Sequence, residues 1–387
     1  MTAPGDKPYR VYRGGRVKGK VPLSGRDGKP EALRGDGATP RRGRWSWKRV
    51  LLVAVPALLV LLLLWSFAGF LSVRSGVAAA HRRLPAGTTS TLTNQDGLIL
   101  DSPTNILLLG TDHAANGQTG RSSDEHSDSM MLLRTDPRRH RLVYLSIPRD
   151  LRATIPGYGD QKVNAAMQIG GPSLAIRTVR QFTGLPVNHV VVVDFGQFVK
   201  LIDAIGGVTI DIPENILSNR FDCPYSTQAR CQQWPGWRFH KGRQHLNGHQ
   251  ALIYSRVREN RLNPADTDIT RGEHQQQVMQ AALSKLASVS TFFGLPLDGS
   301  SLLAPIATDL STWDFMQLGW VKFRAGTTLH CRLGGTSSDI GGASYIIGTQ
   351  ENISVIQEVL GNSAPQPPSP GGGPYAPGCV TGSQQFK

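Results

Sequence analysis

Several common catalytic signatures are missing from these 387 residues. No GxxxxGK[ST] loop occurs, so the nucleotide-hydrolase route has no support. No GxSxG elbow occurs, which argues against a serine hydrolase of that type. No CxxC or Cys/His cluster is present, so a structural zinc site is not expected. Internal repeats are absent, and residues 1–49 hold no convincing helix-turn-helix, so direct gene regulation by that segment is not expected. Acidic residues are scarce, 28 against 42 Lys and Arg, but the imbalance is local. Residues 1–49 carry 14 basic and 4 acidic side chains, a net of +10 out of the total +14. The high charge therefore belongs mostly to this tail, and it does not make the main domain a nucleic-acid binder.

One long apolar run is present. Val50 to Leu71 reads VLLVAVPALLVLLLLWSFAGFL without a charge. A helix crossing a bilayer needs roughly 20 apolar residues and satisfies its own backbone. Trp45, Trp47 and Trp65 suit the headgroup zones, and the basic flank predicts a cytoplasmic N-terminus. A cleaved signal peptide is disfavoured, because the run is too long and its basic leader too extended. The expected organisation is a disordered basic tail (1–49) able to touch anionic lipid, a transmembrane helix (50–71), a stalk (72–104), a large outer domain (105–362) and a loose Pro/Gly-rich tail (363–387).

All four cysteines follow the span, at 223, 231, 331 and 379. An even count in an exported domain predicts disulfides. Three pairings are possible, and the simplest joins Cys223 to Cys231 and Cys331 to Cys379.

Apolar runs at 105–110, 130–133, 142–147, 189–195 and 208–212 predict strands. Helices are expected over 164–183, interrupted at Gly170–Gly171–Pro172, and over 198–205, 248–258 and 271–286. The alternation predicts an α/β domain with a central sheet flanked by helices. Charged residues gather where these elements begin or end: Asp112 in LLGTD, Asp128 in HSDSMMLL, Arg149 and Asp150 in SIPRD, Lys162 and Asn164 in KVN, Arg256 and Arg258 in YSRVR, and Asp268, Arg271, His274 and Gln275 in DITRGEHQQQ. Arg271, His274 and Gln275 share a helix face by spacing. Carboxylates that hold Mg²⁺ beside arginines that fork onto phosphate oxygens would suit phosphoryl chemistry. Each residue taken alone has a plainer role as a turn residue, a cap, a surface ion pair or a structural histidine.

The ordered blocks NILLLGTD, SDSMMLL, SIPRD, KVNAA, VDF, GGV, KGRQHLNGHQAL, YSRVR and DxxRxxxQQ, from about Asn105 to about Leu286, resemble the LytR–CpsA–Psr family of bacterial cell-wall ligases. The resemblance implies a three-layer domain, with a mostly mixed sheet, held outside the cell by one span. It implies a phosphotransferase that moves a glycopolymer from an undecaprenyl-pyrophosphate carrier to the muramic acid 6-hydroxyl of peptidoglycan. Asp112 and Asp128 would hold Mg²⁺. Arg149, Arg256, Arg258 and Arg271 would hold the pyrophosphate, with Lys162, Gln275 and Arg121 in support. Asp150 or a metal-bound carboxylate would accept the hydroxyl proton, and the polyprenyl tail would lie in an apolar groove between sheet and helices. Two departures from the family pattern stand out. His126 occupies the usual arginine position before the SD pair, leaving Asp124 as a rival to Asp128 and Arg121 displaced. His274 replaces a second arginine in the last block, where a neutral ring would weaken the phosphate grip and a protonated one would preserve it. A carrier pyrophosphatase and a non-catalytic envelope scaffold are the competing readings.

Overall fold

The computed structural model describes residues 47–111, 127–263, 268–286, 289–373 and 375–382. Two compact units divide at Pro56, Met1–Pro56 and Ala57–Lys387. The apolar run lies in helix α1 (Trp47–Arg83), with Pro56 inside it. It is the one helix among the described residues long and apolar enough to cross a membrane, and its leucines are exposed.

After α1 the chain forms β1 (Thr104–Thr111), β2 (Ser127–Asp136), β3 (Arg141–Ile147) and a hairpin of β4 (Arg152–Ile155) and β5 (Gly159–Lys162). Next come α2 (Ala165–Thr183), β6 (His189–Asp194), α3 (Phe195–Ala204), β7 (Val208–Ile212), β8 (Ile216–Leu217), α4 (Gln228–Gln233), β9 (Arg238–Phe239), β10 (Gly242–Leu246) and α5 (Gly248–Arg256). The remainder is α6 (Asp268–Leu286), α7 (Val289–Leu302), β11 (Ile306–Thr308), α8 (Thr312–Arg324), β12 (Thr327–Arg332), β13 (Gly335–Ile340), β14 (Ala343–Gly348), α9 (Glu351–Leu360) and β15 (Gly378–Thr381).

Seven strands make the central sheet in the order β11-β6-β1-β2-β3-β12-β15. The pairs β1–β6 and β3–β12 are parallel and the others antiparallel, so the sheet is mixed, as expected. Every residue of β1 is buried, because the sheet is covered on both faces. Alternation divides its side chains: Ile106 and Leu108 pack with Phe198, Tyr254 and Val278 from α3, α5 and α6. Leu107 and Leu109 pack on the opposite face with Leu174 and Ile176 of α2 and Val355 of α9.

Local chemistry explains the block NGHQAL. Asn247 caps α5 in a reciprocal box with Gln250, and the Gly248 amide donates to Asp203. A Cβ at Gly248 would collide with the Val199 carbonyl, so only glycine lets α5 close onto α3. The expected break in α2 is present: Gly171 adopts φ 60° directly before Pro172.

Two segments differ from expectation. Residues 72–104 are not a free stalk. Val77, Ala80 and Ile99 join the core, His81 Nε2 donates to the Leu310 carbonyl at 2.8 Å, and Arg83 donates to the Leu303 carbonyl at 2.9 Å. The Pro/Gly-rich end is not wholly loose either. Gly378–Thr381 forms β15 on the edge of the sheet, stapled to β12 by Cys331–Cys379, while Cys223 pairs with Cys231. Both disulfides follow the simplest pairing.

Candidate functional site

The register of the sheet brings the charged blocks to one edge. Thr111, at the carboxyl end of β1, pairs with Asp194 at the carboxyl end of β6. In β2, Gly110 faces Ser129 but Thr111 faces Ser127, so Asp128 is the extra residue of a β-bulge. Bulges re-aim side chains and are frequent beside active sites. Met130 pairs with Ile147, which places Pro148, Arg149 and Asp150 at the same edge. Ligands commonly bind at the carboxyl ends of strands in open α/β sheets.

Arg149 Nε donates to Asp150 Oδ2 at 3.2 Å, and Lys162 Nζ donates to Asp150 Oδ1 at 2.8 Å. The β4–β5 hairpin makes this possible, since Arg152 pairs with Lys162 and the returning strand delivers the lysine to the start of the hairpin. The Asn164 amide closes on the Arg149 carbonyl at 3.2 Å, which explains why SIPRD and KVN act together. The Ile346 amide donates to the Asp150 carbonyl at 2.9 Å, and Lys162 lies 5.6 Å from the centre of the Tyr345 ring. Asp150, expected as a proton acceptor, thus has both oxygens engaged by cations.

A second group lies where α5 meets α6. Arg256 ends α5 and is ion-paired through Nη1 to Asp222 Oδ2. Arg258, two residues on, is exposed. Between them, the Val257 backbone is hydrogen-bonded to His274. Of the two alternatives for His274, the structure takes the neutral one. His274 is 4% exposed, its ring lies 4.3 Å from that of Tyr254, and burial pushes its pKa down to about 4 despite the bond to Val257. It is a neutral core residue that fastens α6 to the end of α5. Tyr254 completes the junction by donating to Gln277 Oε1 at 2.6 Å. Arg271 lies one turn earlier on α6, and Gln275 is half-buried there.

Asp112, Arg121, Asp124 and His126 lie outside the described residues, as do the side chains of Asp128 and Arg271. The described residues hold no cluster of three potential metal ligands. The backbone nevertheless sets two carboxylate-bearing residues, Asp128 and Asp194, beside Thr111, and Asp112 follows Thr111 in the chain. An all-oxygen donor set of this kind suits Mg²⁺.

Sequence reasoning missed three members of this edge. Asp194 belongs to the VDF block, and a carboxylate ending a β-branched run was the available signal. Arg332 ends β12 opposite Ser146, buried, with Nη2 donating to the Ala376 carbonyl at 3.0 Å. It lies beyond the matched blocks, as does Tyr345. Between sheet and α6, Tyr144 stacks on His330 at 5.4 Å, and Gln280 meets His330 Nδ1 at 2.7 Å. Burial raises the Tyr144 pKa to about 12 and lowers that of His330, the latter helped by the Lys322 charge.

Known proteins share this architecture. Residues 69–362 match the model of the LytR_cpsA_psr family. The polyisoprenyl-teichoic acid–peptidoglycan teichoic acid transferase TagV of Bacillus subtilis (strain 168) is 31% identical over 63% of this chain, and the match spans 59% of that relative's length. A second polyisoprenyl-teichoic acid–peptidoglycan teichoic acid transferase, TagU of Oceanobacillus iheyensis, is 31% identical over 68% of this chain and 77% of its own. A solved structure of TagT bound to LIIa-WTA superposes with a TM-score of 0.54 at 24% identity, covering 71% of this chain and 97% of that one. Another TagT structure, with bound octaprenyl pyrophosphate lipid, gives 0.50 at 24% identity, covering 72% and 98%. The fold and the extent of the family match together place this chain in the LytR_cpsA_psr family.

Proposed function

We propose that the protein is a membrane-anchored phosphotransferase that moves a glycopolymer from a polyprenyl-pyrophosphate carrier onto peptidoglycan. The observation that carries this reading is the strand edge where Arg149 and Lys162 are held by one carboxylate, Asp150, beside the Asp128 bulge. Such an edge suits a doubly phosphorylated, lipid-borne substrate. The names of TagV and TagU describe the same class of transfer. Helix α1 keeps the site beside the membrane where a polyprenyl carrier resides, with the basic N-terminal tail inside and the domain outside.

Mg²⁺ is part of the proposal, with Asp112 and Asp128 as its ligands; when bound it would neutralise charge on the pyrophosphate oxygens. The side chains do the rest. Arg149, Lys162, Arg256, Arg258 and Arg271 bind the two phosphates, and Gln275 supports them. The acceptor hydroxyl attacks the phosphorus bonded to the glycopolymer. The bond from that phosphorus to the oxygen of undecaprenyl phosphate breaks, and undecaprenyl phosphate leaves. Arginine forks stabilise the charge that develops on the transferred phosphoryl group. Asp150, already committed to two cations, positions them, and the hydroxyl proton passes to a carboxylate at the opening of β2. The polyprenyl tail lies along the apolar face between the sheet and α6.

Incubating the full chain in detergent with a polyprenyl-pyrophosphate glycan, with and without peptidoglycan, tests the function. Covalent glycan on peptidoglycan and acceptor-dependent release of polyprenyl phosphate are expected. Phosphate release that ignores the acceptor would convert the protein into a pyrophosphatase. Full complementation of a deletion by Arg256→Ala would make it a scaffold.

A further inference from the structure

We infer that Asp222 is a positioning residue for Arg256, and that the Cys223–Cys231 loop is the brace that holds it. The inference rests on the pyrophosphate role proposed above for Arg256.

The carboxylate that meets Arg256 comes from neither α5 nor α6. It comes from the excursion between β8 and β9, a segment with little core of its own. Around Asp222 this excursion is pinned three times. Arg220 Nη1 donates to the Gln232 carbonyl at 2.8 Å. Trp237 Nε1 donates to the Phe221 carbonyl at 3.1 Å. Cys223 is bonded to Cys231. These cross-links fall on residues 220, 221 and 223, and Asp222 sits among them at φ 45°. Aspartate tolerates that left-handed conformation better than most residues, and there it turns the chain between its pinned neighbours. The tip gains little by being fixed, because Tyr225 is exposed and no residue of α4 is buried. What the cross-links immobilise is the position of one carboxylate.

The excursion is also tied to the helix that bears Arg256. Trp237 packs edge-on against Trp234 at 5.2 Å and against His249 of α5 at 5.4 Å. The spacing between Asp222 and Arg256 is therefore set from both sides. A guanidinium offers five N–H donors in a rigid fork. With Nη1 on Asp222, the remaining donors are held in one orientation, and phosphate oxygens can be met without a search through rotamers. A rival role is open to the same contact. Asp222 could compete with the substrate anion for Arg256. The two roles predict opposite signs, since removing a brace weakens anion binding and removing a competitor strengthens it.

The test is calorimetric titration of inorganic pyrophosphate into the full chain in detergent, with a thermal melt of every variant. Asp222→Ala is expected to weaken binding about tenfold, because small misplacements of a positioning group are costly. Asp222→Asn, which keeps an oxygen acceptor, loses less. In an Arg256→Ala background the Asp222→Ala effect vanishes. Replacing both Cys223 and Cys231 by serine lowers affinity at least as far as Asp222→Ala does, in a chain that the melt shows to be folded at the titration temperature. Unchanged or tighter binding by Asp222→Ala overturns the inference, as does a loss that persists without Arg256. Transfer assays on the same variants separate the two readings. Pyrophosphate binding that depends on Asp222 and Arg256, without acceptor-dependent transfer, defeats the ligase and leaves the brace. Transfer alongside binding indifferent to Asp222 defeats the brace alone.

Discussion

His274 makes the folded state sensitive to acid, and the size of the effect follows from its surroundings. In the native protein its pKa is about 4, against the ordinary value of 6.5, because burial penalises the charged ring. The folded value lies below the unfolded one, so between those limits the unfolded chain binds more protons. Stability is therefore fully present above pH 6.5, falls as pH drops, and stops falling below pH 4. Each pKa unit is worth about 1.4 kcal/mol, so this residue alone removes about 2 kcal/mol by pH 5 and about 3 kcal/mol by pH 4. His274→Phe keeps a ring against Tyr254 and removes the titration. It forfeits the bond to Val257, which costs about 1 kcal/mol at neutral pH. Thermal unfolding of wild type and variant at pH 7 and pH 5 isolates the effect, since carboxylates and the other histidines contribute equally to both. The wild type should lose about 5 °C more than the variant over that interval. Parallel losses would refute the buried neutral assignment. The acid limb of transfer activity should be the same in both proteins, because the ring faces the core and not the substrate.

Restoring the family's arginine with His274→Arg should destabilise the fold by about 3–5 kcal/mol, read by denaturant titration, since the site beside the Tyr254 ring is buried and would desolvate a guanidinium. Asp150→Asn should lower transfer about tenfold or more by loosening Arg149 and Lys162, yet change the unfolding free energy by less than about 1 kcal/mol, because the pair is partly exposed. Removing both Cys331 and Cys379 should cost about 4 kcal/mol, the chain-entropy value for residues 48 apart, and should fray β15 in hydrogen exchange. Chelation should abolish transfer and Mg²⁺ restore it, while Asp128→Ala should remove the calorimetric signal for Mg²⁺ binding.

The parts of the fold legible in the sequence were those written in local patterns. β1 and β6 are apolar runs buried on both faces, and α2 breaks where Gly171 and Pro172 break it. Segments recruited by distant partners were not legible. Residues 72–104 look like a stalk until Val77 and Ile99 find the core, and Gly378–Thr381 looks loose until it pairs with β12. The site divides in the same way. Arg149, Asp150 and Lys162 were nameable from their blocks, but their pairing depends on a hairpin register. His274 shared a helix face with Arg271 by spacing, yet only the packing of α6 on α5 decides that this face points inward at His274. Asp222 had no signal at all, since an aspartate before a cysteine in a polar loop is unremarkable until the loop closes on Arg256.

Arg149 and Arg256 each contact a carboxylate, and this arrangement is worth an energetic comparison. A carboxylate on the far side of a guanidinium lies about 8 Å from a bound anion, and at an effective dielectric near 20 it repels one unit charge by about 2 kcal/mol. Leaving the arginine to wander costs a similar amount, because a misplacement of about 1 Å in a positioning group can cost about a hundredfold in rate. The carboxylate is therefore favourable only where it is itself rigid, since a mobile one repels the substrate without fixing the cation. Asp150 meets that condition because its carbonyl is bound by Ile346 and its side chain lies between Arg149 and Lys162. Asp222 lies in a polar excursion and meets the condition only through its cross-links. Loss of the Cys223–Cys231 bond should consequently convert Asp222 from a brace into a net repeller, and anion affinity should then improve when Asp222→Asn is added to the serine-substituted loop. That reversal of sign distinguishes a rigid brace from a simple ion pair, because an ion pair indifferent to loop rigidity would show the same Asp222→Asn effect with and without the disulfide.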